Sequence, residues 1–246
     1  MTKDTKNNQA LETVNEIQPE QMLPTELQDQ FDLKSNMEGV TPRLPQIGII
    51  HQGHMFIFPD ETQVKEFSGI MLDTSRINAW WELSYDDTGG GTPPDCFSMN
   101  GITPDLNCNK PQSESCRDCP KNKFKSSGGR GKACKNMKRV HIMMEGEMLP
   151  YRLTLPPSNQ KAIDMYISYL VSKGFPYQLV TTKFKLKKAQ NKDGIIYSEI
   201  DLENLGIIMD VKRGKFLKKM YDEFKGVMRG QDIMSAEFSS ADEEEL

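Results

Sequence analysis

All five cysteines of this 246-residue chain fall between positions 96 and 134, and the long flanks carry none. Cys116-Arg117-Asp118-Cys119 is a C-x-x-C turn, with Cys134 following it and Cys96 preceding it. Two intervening residues let the backbone curl so that both thiolates reach one tetrahedral metal ion. The surrounding stretch is dense in Lys, Arg, Gly and Ser. With few apolar side chains to order it, metal binding can supply the missing folding free energy. The expected site is one structural zinc ion per chain, held by Cys96, Cys116, Cys119 and Cys134, with Cys108 a spare or competing fourth ligand. Cys96 lies 20 residues before Cys116, so this is not a ribbon of two C-x-x-C turns. A redox C-x-x-C is the weaker reading, because the motif lacks a strand–helix context.

Charge separates along the chain although the formal net charge is only −4. Residues 1–95 carry 6 basic and 16 acidic side chains, residues 96–190 carry 17 and 6, and residues 221–246 carry 2 and 8. A strongly basic middle between acidic ends points to a polyanionic partner for the middle. No apolar run approaches 18 residues, so no membrane partner is expected. Met1-Thr2-Lys3-Asp4 lacks an apolar signal core, which places the expected protein in a reducing cytoplasm.

Residues 1–38 are polar and acidic and read as a disordered arm. Strand-like runs follow at 46–50 and 54–58, then at 64–72 and 76–84. Gly89 to Gly91 with Pro93 and Pro94 open the cysteine loop, an insertion over about 89–136. Further strands are expected at 137–144, 148–155, 177–186 and 195–202. Between them Pro156-Pro157-Ser158 starts a helix with Ile163, Tyr166, Ile167 and Leu170 on one face and Gly174 as its cap. A second helix at 210–228 buries Phe216, Met220, Phe224 and Met228. Residues 39–230 thus form the expected domain, and 231–246 an acidic flexible tail. Short strands without regular strand–helix alternation predict a mainly β (α+β) fold. The expected form is a small OB-like barrel with a zinc-loop insertion, a central helix and a C-terminal helix.

Within the loop and at the start of the strand after it, Lys121, Lys123, Arg130, Lys132, Lys135, Lys138 and Arg139 are candidate phosphate contacts. Gly128-Gly129-Arg130-Gly131-Lys132 lacks the phosphate-loop frame, since Ala133 stands where Ser or Thr would hold magnesium. Lys183, Lys185 and Lys187 alternate with Phe184 and Leu186, which puts the three lysines on one strand face as a basic track. Trp81, Tyr85 and Phe124 are candidate stacking platforms for bases. His51-Gln52-Gly53-His54 has no helical metal-site context and reads as a turn.

Pro94-Asp95-Cys96-Phe97-Ser98, Cys116-Arg117-Asp118-Cys119-Pro120-Lys121-Asn122, Gly131-Lys132-Ala133-Cys134-Lys135-Asn136 and Leu155-Pro156-Pro157-Ser158 together resemble a group of phage and mobile-element proteins of poorly described function. The similarity spans about Gly48 to Leu205. It implies that Cys96, Cys116, Cys119 and Cys134 are the recurring cysteines and that Cys108 is the spare. More loosely, a barrel-sized body with an acidic end resembles phage single-stranded-DNA-binding proteins. That likeness implies that Asp242, Glu243, Glu244 and Glu245 recruit replication or recombination proteins. Here the chain ends in Leu246 rather than an aromatic residue. The expected function is single-stranded-DNA binding in phage or mobile-element replication or recombination. The alternative is a zinc-containing transcription or replication regulator that binds duplex DNA or a protein. No compact Asp/Glu/His constellation argues for an enzyme.

Overall fold

Residue 66 begins a strand that runs unbroken to residue 80 and organises everything around it. The computed structural model describes residues 39–40, 43–50, 53–83, 92–129, 131–190, 194 and 196–230. The expected arm at 1–38 and tail at 231–246, with Asp242, Glu243, Glu244 and Glu245, lie outside the described residues, as do Tyr85 and Arg130.

The strands are β1 (Gln46–Ile50), β2 (Met55–Ile57), β3 (Gln63–Val64), β4 (Glu66–Trp80), β5 (Cys96–Ser98), β6 (Lys135–Met143), β7 (Tyr151–Leu155), β8 (Val180–Gln190) and β9 (Ile196–Ile207). Helix α1 (Gln160–Ser172) lies between β7 and β8, and α2 (Val211–Gly230) follows β9. One curled sheet joins all nine strands in the order β3-β2-β1-β7-β6-β4-β8-β9, with β5 on the end of β4. All pairings are antiparallel except β1 with β7. The mainly β, α+β character and the two helices agree with the sequence.

The expected break between 72 and 76 does not occur. Asp73-Thr74-Ser75 reads as polar punctuation, but the chain absorbs it as a bulge between Met71 and Asp73. Asp73 is only 1% exposed and accepts two hydrogen bonds from Arg229 of α2, at 2.8 and 3.1 Å. A paired carboxylate can stay inside the strand, where an unpaired one would be expelled.

Alternate residues of β4 feed two cores, as period-two geometry requires. Phe67 and Met71 join Val140, Ile142, Leu153, Leu155, Phe184 and Ile200 inside the curl, capped by Ile163, Tyr166 and Leu170 of α1. Ile70 and Leu72 face the other way and meet Leu217, Met220, Phe224 and Met228 of α2. Phe216, expected in that core, is only partly buried and stacks under Arg213, while Leu217 takes the buried place. Gly69 is required by contact: a Cβ there would stand 2.5 Å from Ile142 and 3.1 Å from a backbone oxygen of Met143. A third, small cluster of Ile77, Ala79 and Met137 with Trp81, Phe97 and Met99 underlies the cysteine segment.

Candidate metal centre and nucleic-acid interface

The cysteine segment lies between β4 and β6, so both its ends are fixed by neighbouring strands. Cys96 opens β5 opposite Trp80 of β4. Cys134 immediately precedes β6, and its N–H donates to Lys121 O at 2.9 Å. The C-x-x-C turn is pinned at both ends. Cys116 N–H donates to Ile102 O at 2.8 Å, and Asn122 donates to Cys119 O at 3.0 Å and, through Nδ2, to Cys116 O at 2.7 Å. Cys96, Cys116, Cys119 and Cys134 line one small pocket with Asn78, Trp80, Phe97, Lys121 and Asn122. Cys116, Cys119 and Cys134 are buried and Cys96 is half-buried. Cys108 does not line the pocket. Its thiol donates to Phe97 O and accepts from Phe97 N–H, both at 3.1 Å.

Burial pushes the Cys134 thiol up to about 12, and the neighbouring Cys119, Cys116 and Cys96 add to the effect. Cys96 is pushed up to about 11, chiefly by burial, while the backbone N–H of Gln112 opposes the shift. Burial and the neighbouring thiols thus both oppose charge on Cys96 and Cys134, and a cation among the four sulfurs would reverse that. Among the described residues no three His, Cys, Asp or Glu side chains close into a ready-made metal-binding group. A metal would therefore have to draw these thiols inward. The donor set suits zinc: four thiols, no carboxylate on the pocket wall, and Lys121 and Lys132 near enough to offset a doubly negative tetrathiolate complex.

Comparison with known proteins gives no family. No family model, no curated protein and no solved structure matches this chain.

The basic side chains divide sharply. Phe124, at 76% exposed, presents its ring to solvent between exposed Lys123 and Lys125. Lys132 Nζ stands 5.0 Å from the Phe124 centroid and is held by Asn122 Oδ1 and Asn136 Oδ1 at 3.2 and 2.9 Å. Lys121 Nζ sits 4.8 Å over the Trp80 ring. Lys123 donates to Arg117 O at 2.8 Å. Among the described residues Lys121, Lys123, Lys125 and Lys132 have no carboxylate partner. Lys135 is half-buried where β6 begins.

Three expectations need correction. Arg139 is fully buried and Lys138 is 6% exposed, bound to Asp164 of α1. Both lie within the covered part of β6 and cannot meet a phosphate in this conformation. The lysines of β8 are not a basic track. Register places Lys183 opposite Glu203, Lys185 opposite Asp201 and Lys187 opposite Glu199. Lys183 and Lys185 also bind Glu66 of β4, at 3.1 and 3.9 Å, so four carboxylates answer three lysines. Trp81 is no free platform either. It is half-buried, packs on the small cluster, and donates from Nε1 to Thr92 O at 2.9 Å. Of the histidine pair, His51 lies outside the described residues, while His54 turns the chain with a φ of 51° and meets Ser198 Oγ at 2.8 Å.

The sequence did carry the signal for the β8 correction: Glu199, Asp201 and Glu203 also recur with period two, and the antiparallel pairing of β9 with β8 lays them opposite the lysines. Two loop cations left out of the expected set, Arg117 and Lys125, are exposed beside the candidates.

Proposed function

We propose that this protein binds single-stranded DNA through its cysteine segment, with a structural zinc ion ordering the segment and Phe124 stacking on a base. The observation that carries the reading is Phe124 itself. A large apolar ring that is 76% exposed, flanked in sequence by exposed Lys123 and Lys125 and approached to 5.0 Å by Lys132, has no use in the protein's own core. Base stacking on an aromatic contributes about 1–3 kcal/mol and tolerates any base, while the lysines take the phosphates.

Connectivity supports the same reading. Strands β4, β6, β7, β8 and β9 pair as β4–β6, β6–β7, β4–β8 and β8–β9, with α1 between β7 and β8. This is the order of an oligonucleotide-binding barrel except for its closing pair. In place of a β7–β9 pair, β7 takes β1 on its edge. Asn159, fully buried after β7, accepts from Ile200 N–H at 2.6 Å and donates to Ser198 O at 3.0 Å. One side-chain amide thus performs two backbone-like contacts to β9. In this reading the cysteine segment is the loop between the first and second barrel strands, a position from which such barrels contact nucleic acid. A setting in phage or mobile-element replication or recombination remains part of the proposal through the resemblance of the cysteine pattern.

Fluorescence titration of the zinc-loaded chain with a single-stranded oligonucleotide and with the matching duplex tests the proposal. Single strands should bind more tightly. Phe124→Ala should weaken single-strand binding about 5- to 150-fold, the equivalent of about 1–3 kcal/mol. Duplex preference would favour a duplex-binding regulator, and unchanged affinity in Phe124→Ala would remove the stacking platform.

A further inference from the structure

A lysine ammonium carries three N–H donors. At Lys132 two of them go to fixed partners, Asn122 Oδ1 at 3.2 Å and Asn136 Oδ1 at 2.9 Å. Each asparagine is itself held. Asn122 Nδ2 donates to Cys116 O of the C-x-x-C turn at 2.7 Å, and Asn136 Nδ2 donates to Asn78 Oδ1 of β4 at 2.9 Å. Gln160 of α1 also donates to the backbone oxygen of Asn136. The ammonium is thereby fixed over one face of Phe124, 5.0 Å from the ring centroid. The loop that carries the ring is tied as well. Lys125 N–H donates to Gly131 O at 2.8 Å; Ser126 Oγ accepts from Ala133 N–H at 2.8 Å and donates to Lys121 O at 2.7 Å. Ring and ammonium thus hold one geometry before any ligand arrives, which lowers the ordering cost of binding there.

What this geometry leaves open is equally specific. Lys132 covers one face of the ring, yet Phe124 is still 76% exposed, so its other face can take a second planar group. Among the described residues the third N–H of Lys132 has no partner. A flat apolar face beside one directed cationic donor matches the two chemical parts of a nucleotide. We propose that Phe124, Lys132, Asn122 and Asn136 form a subsite for one nucleotide unit of a single strand: the base stacks on the ring face away from Lys132, and a phosphate flanking that base takes the third N–H of Lys132. Asn122 and Asn136 are positioning residues, which aim the ammonium without touching the ligand. The subsite rests on the single-strand reading above and narrows it to one nucleotide position. Lys132 acts here as a directed donor, not only as one charge among several. Removing an asparagine would keep the charge and lose its aim, so the loss would fall on one phosphate contact rather than on the general attraction to the backbone.

The test uses the full zinc-loaded chain and a strand that is abasic except for one thymine, so that stacking on Phe124 fixes the register. Two further strands carry a neutral methylphosphonate on the 5′ or the 3′ side of that thymine, and a fourth is wholly abasic. The wild type should bind the thymine strand about 5- to 150-fold more tightly than the abasic one. Neutralising one of the two flanking phosphates should weaken binding about 3- to 10-fold, the scale of one hydrogen bond to a charged group. Phe124→Ala should remove the preference for thymine. Lys132→Gln should remove the methylphosphonate effect, and Asn136→Ala, which keeps the ammonium, should shrink it. Lys125→Gln, an equal loss of charge next to Phe124 in the chain, should leave the effect in full. A methylphosphonate effect of the same size in the wild type and Lys132→Gln would overturn the phosphate assignment, and a full effect in Asn136→Ala would overturn its positioning role. An equal drop for all four strands in both variants would show that Lys132 and Asn136 only brace the loop. A wild type that binds these strands without preferring thymine would end the subsite alone. A wild type that binds no single strand at all would end the single-strand reading, and the subsite with it.

Discussion

His141 is fully buried in β6, and neither ring nitrogen has a hydrogen-bond partner. Asp73 of β4 and Arg152 of β7 stand opposite it in register, Arg139 lies two residues away on the same strand, and Arg229 reaches in from α2. Burial first, then the fields of Arg139, Arg152 and Arg229, push its imidazolium down to about 3. In the unfolded chain the same group titrates at about 6.5. Between those values the unfolded state holds a proton that the folded state refuses. The stability contribution is therefore fully present above about pH 6.5 and is lost as pH falls toward 3, by about 1.4 kcal/mol per pH unit. Urea titrations at pH 7 and pH 5.5, where few carboxylates have yet protonated, should show the midpoint falling in the wild type. His141→Gln should flatten that fall, and an equal slope in both proteins would show that His141 is not the group responsible.

Whole elements were more legible than their partners. Both helices follow from apolar spacing, since α1 buries Ile163, Tyr166 and Leu170 on one face and Gly174 ends it with a φ of 77°. Strand existence was legible from β-branched runs, but the extent of β4 was not, because Asp73 reads as a break until Arg229, 156 residues away, is known to pair with it. The same holds for the β8 lysines: their spacing is local, while the neutralising carboxylates arrive through pairing with β9 and β4. The clustering of the cysteines was visible in the sequence, but which four line one pocket depends on β5 and β6 flanking β4. Asn159 was silent in sequence, one asparagine after two prolines. Asn159→Ala strips both contacts to β9 and leaves the buried Ile200 N–H without a partner. The expected cost is about 1–3 kcal/mol, seen as a Tm lower by about 2–12 °C for a domain of this size. Calorimetry giving an unchanged Tm would mean that the amide does not join β7 to β9.

At the scale of the molecule, a chain with net charge −4 cannot rely on its overall field to hold a polyanion. Screening confines surface charges to about 8–10 Å at physiological salt, so what matters is the local patch. In the proposed reading that patch is the cysteine segment, where among the described residues Lys121, Lys123, Lys125 and Lys132 have no carboxylate partner, while the β8 lysines are already neutralised in a ladder. Four phosphate contacts would give a log–log slope of affinity against salt of about −3, at about −0.7 per contact on single strands. Replacing Lys121, Lys123, Lys125 and Lys132 by glutamine should bring the slope toward zero. The same exchange at Lys183, Lys185 and Lys187 should leave the slope nearly unchanged, although it removes almost as much charge. Chelation of zinc should act like the loop exchange, because the lysines then lose their common frame even though the two larger cores, which lie away from the segment, persist. Circular dichroism on the chelated chain separates the two effects: retained β signal with a collapsed slope fits a metal-ordered interface on an independent sheet. A slope that survives chelation, or that falls only with the β8 exchange, would move the interface off the cysteine segment.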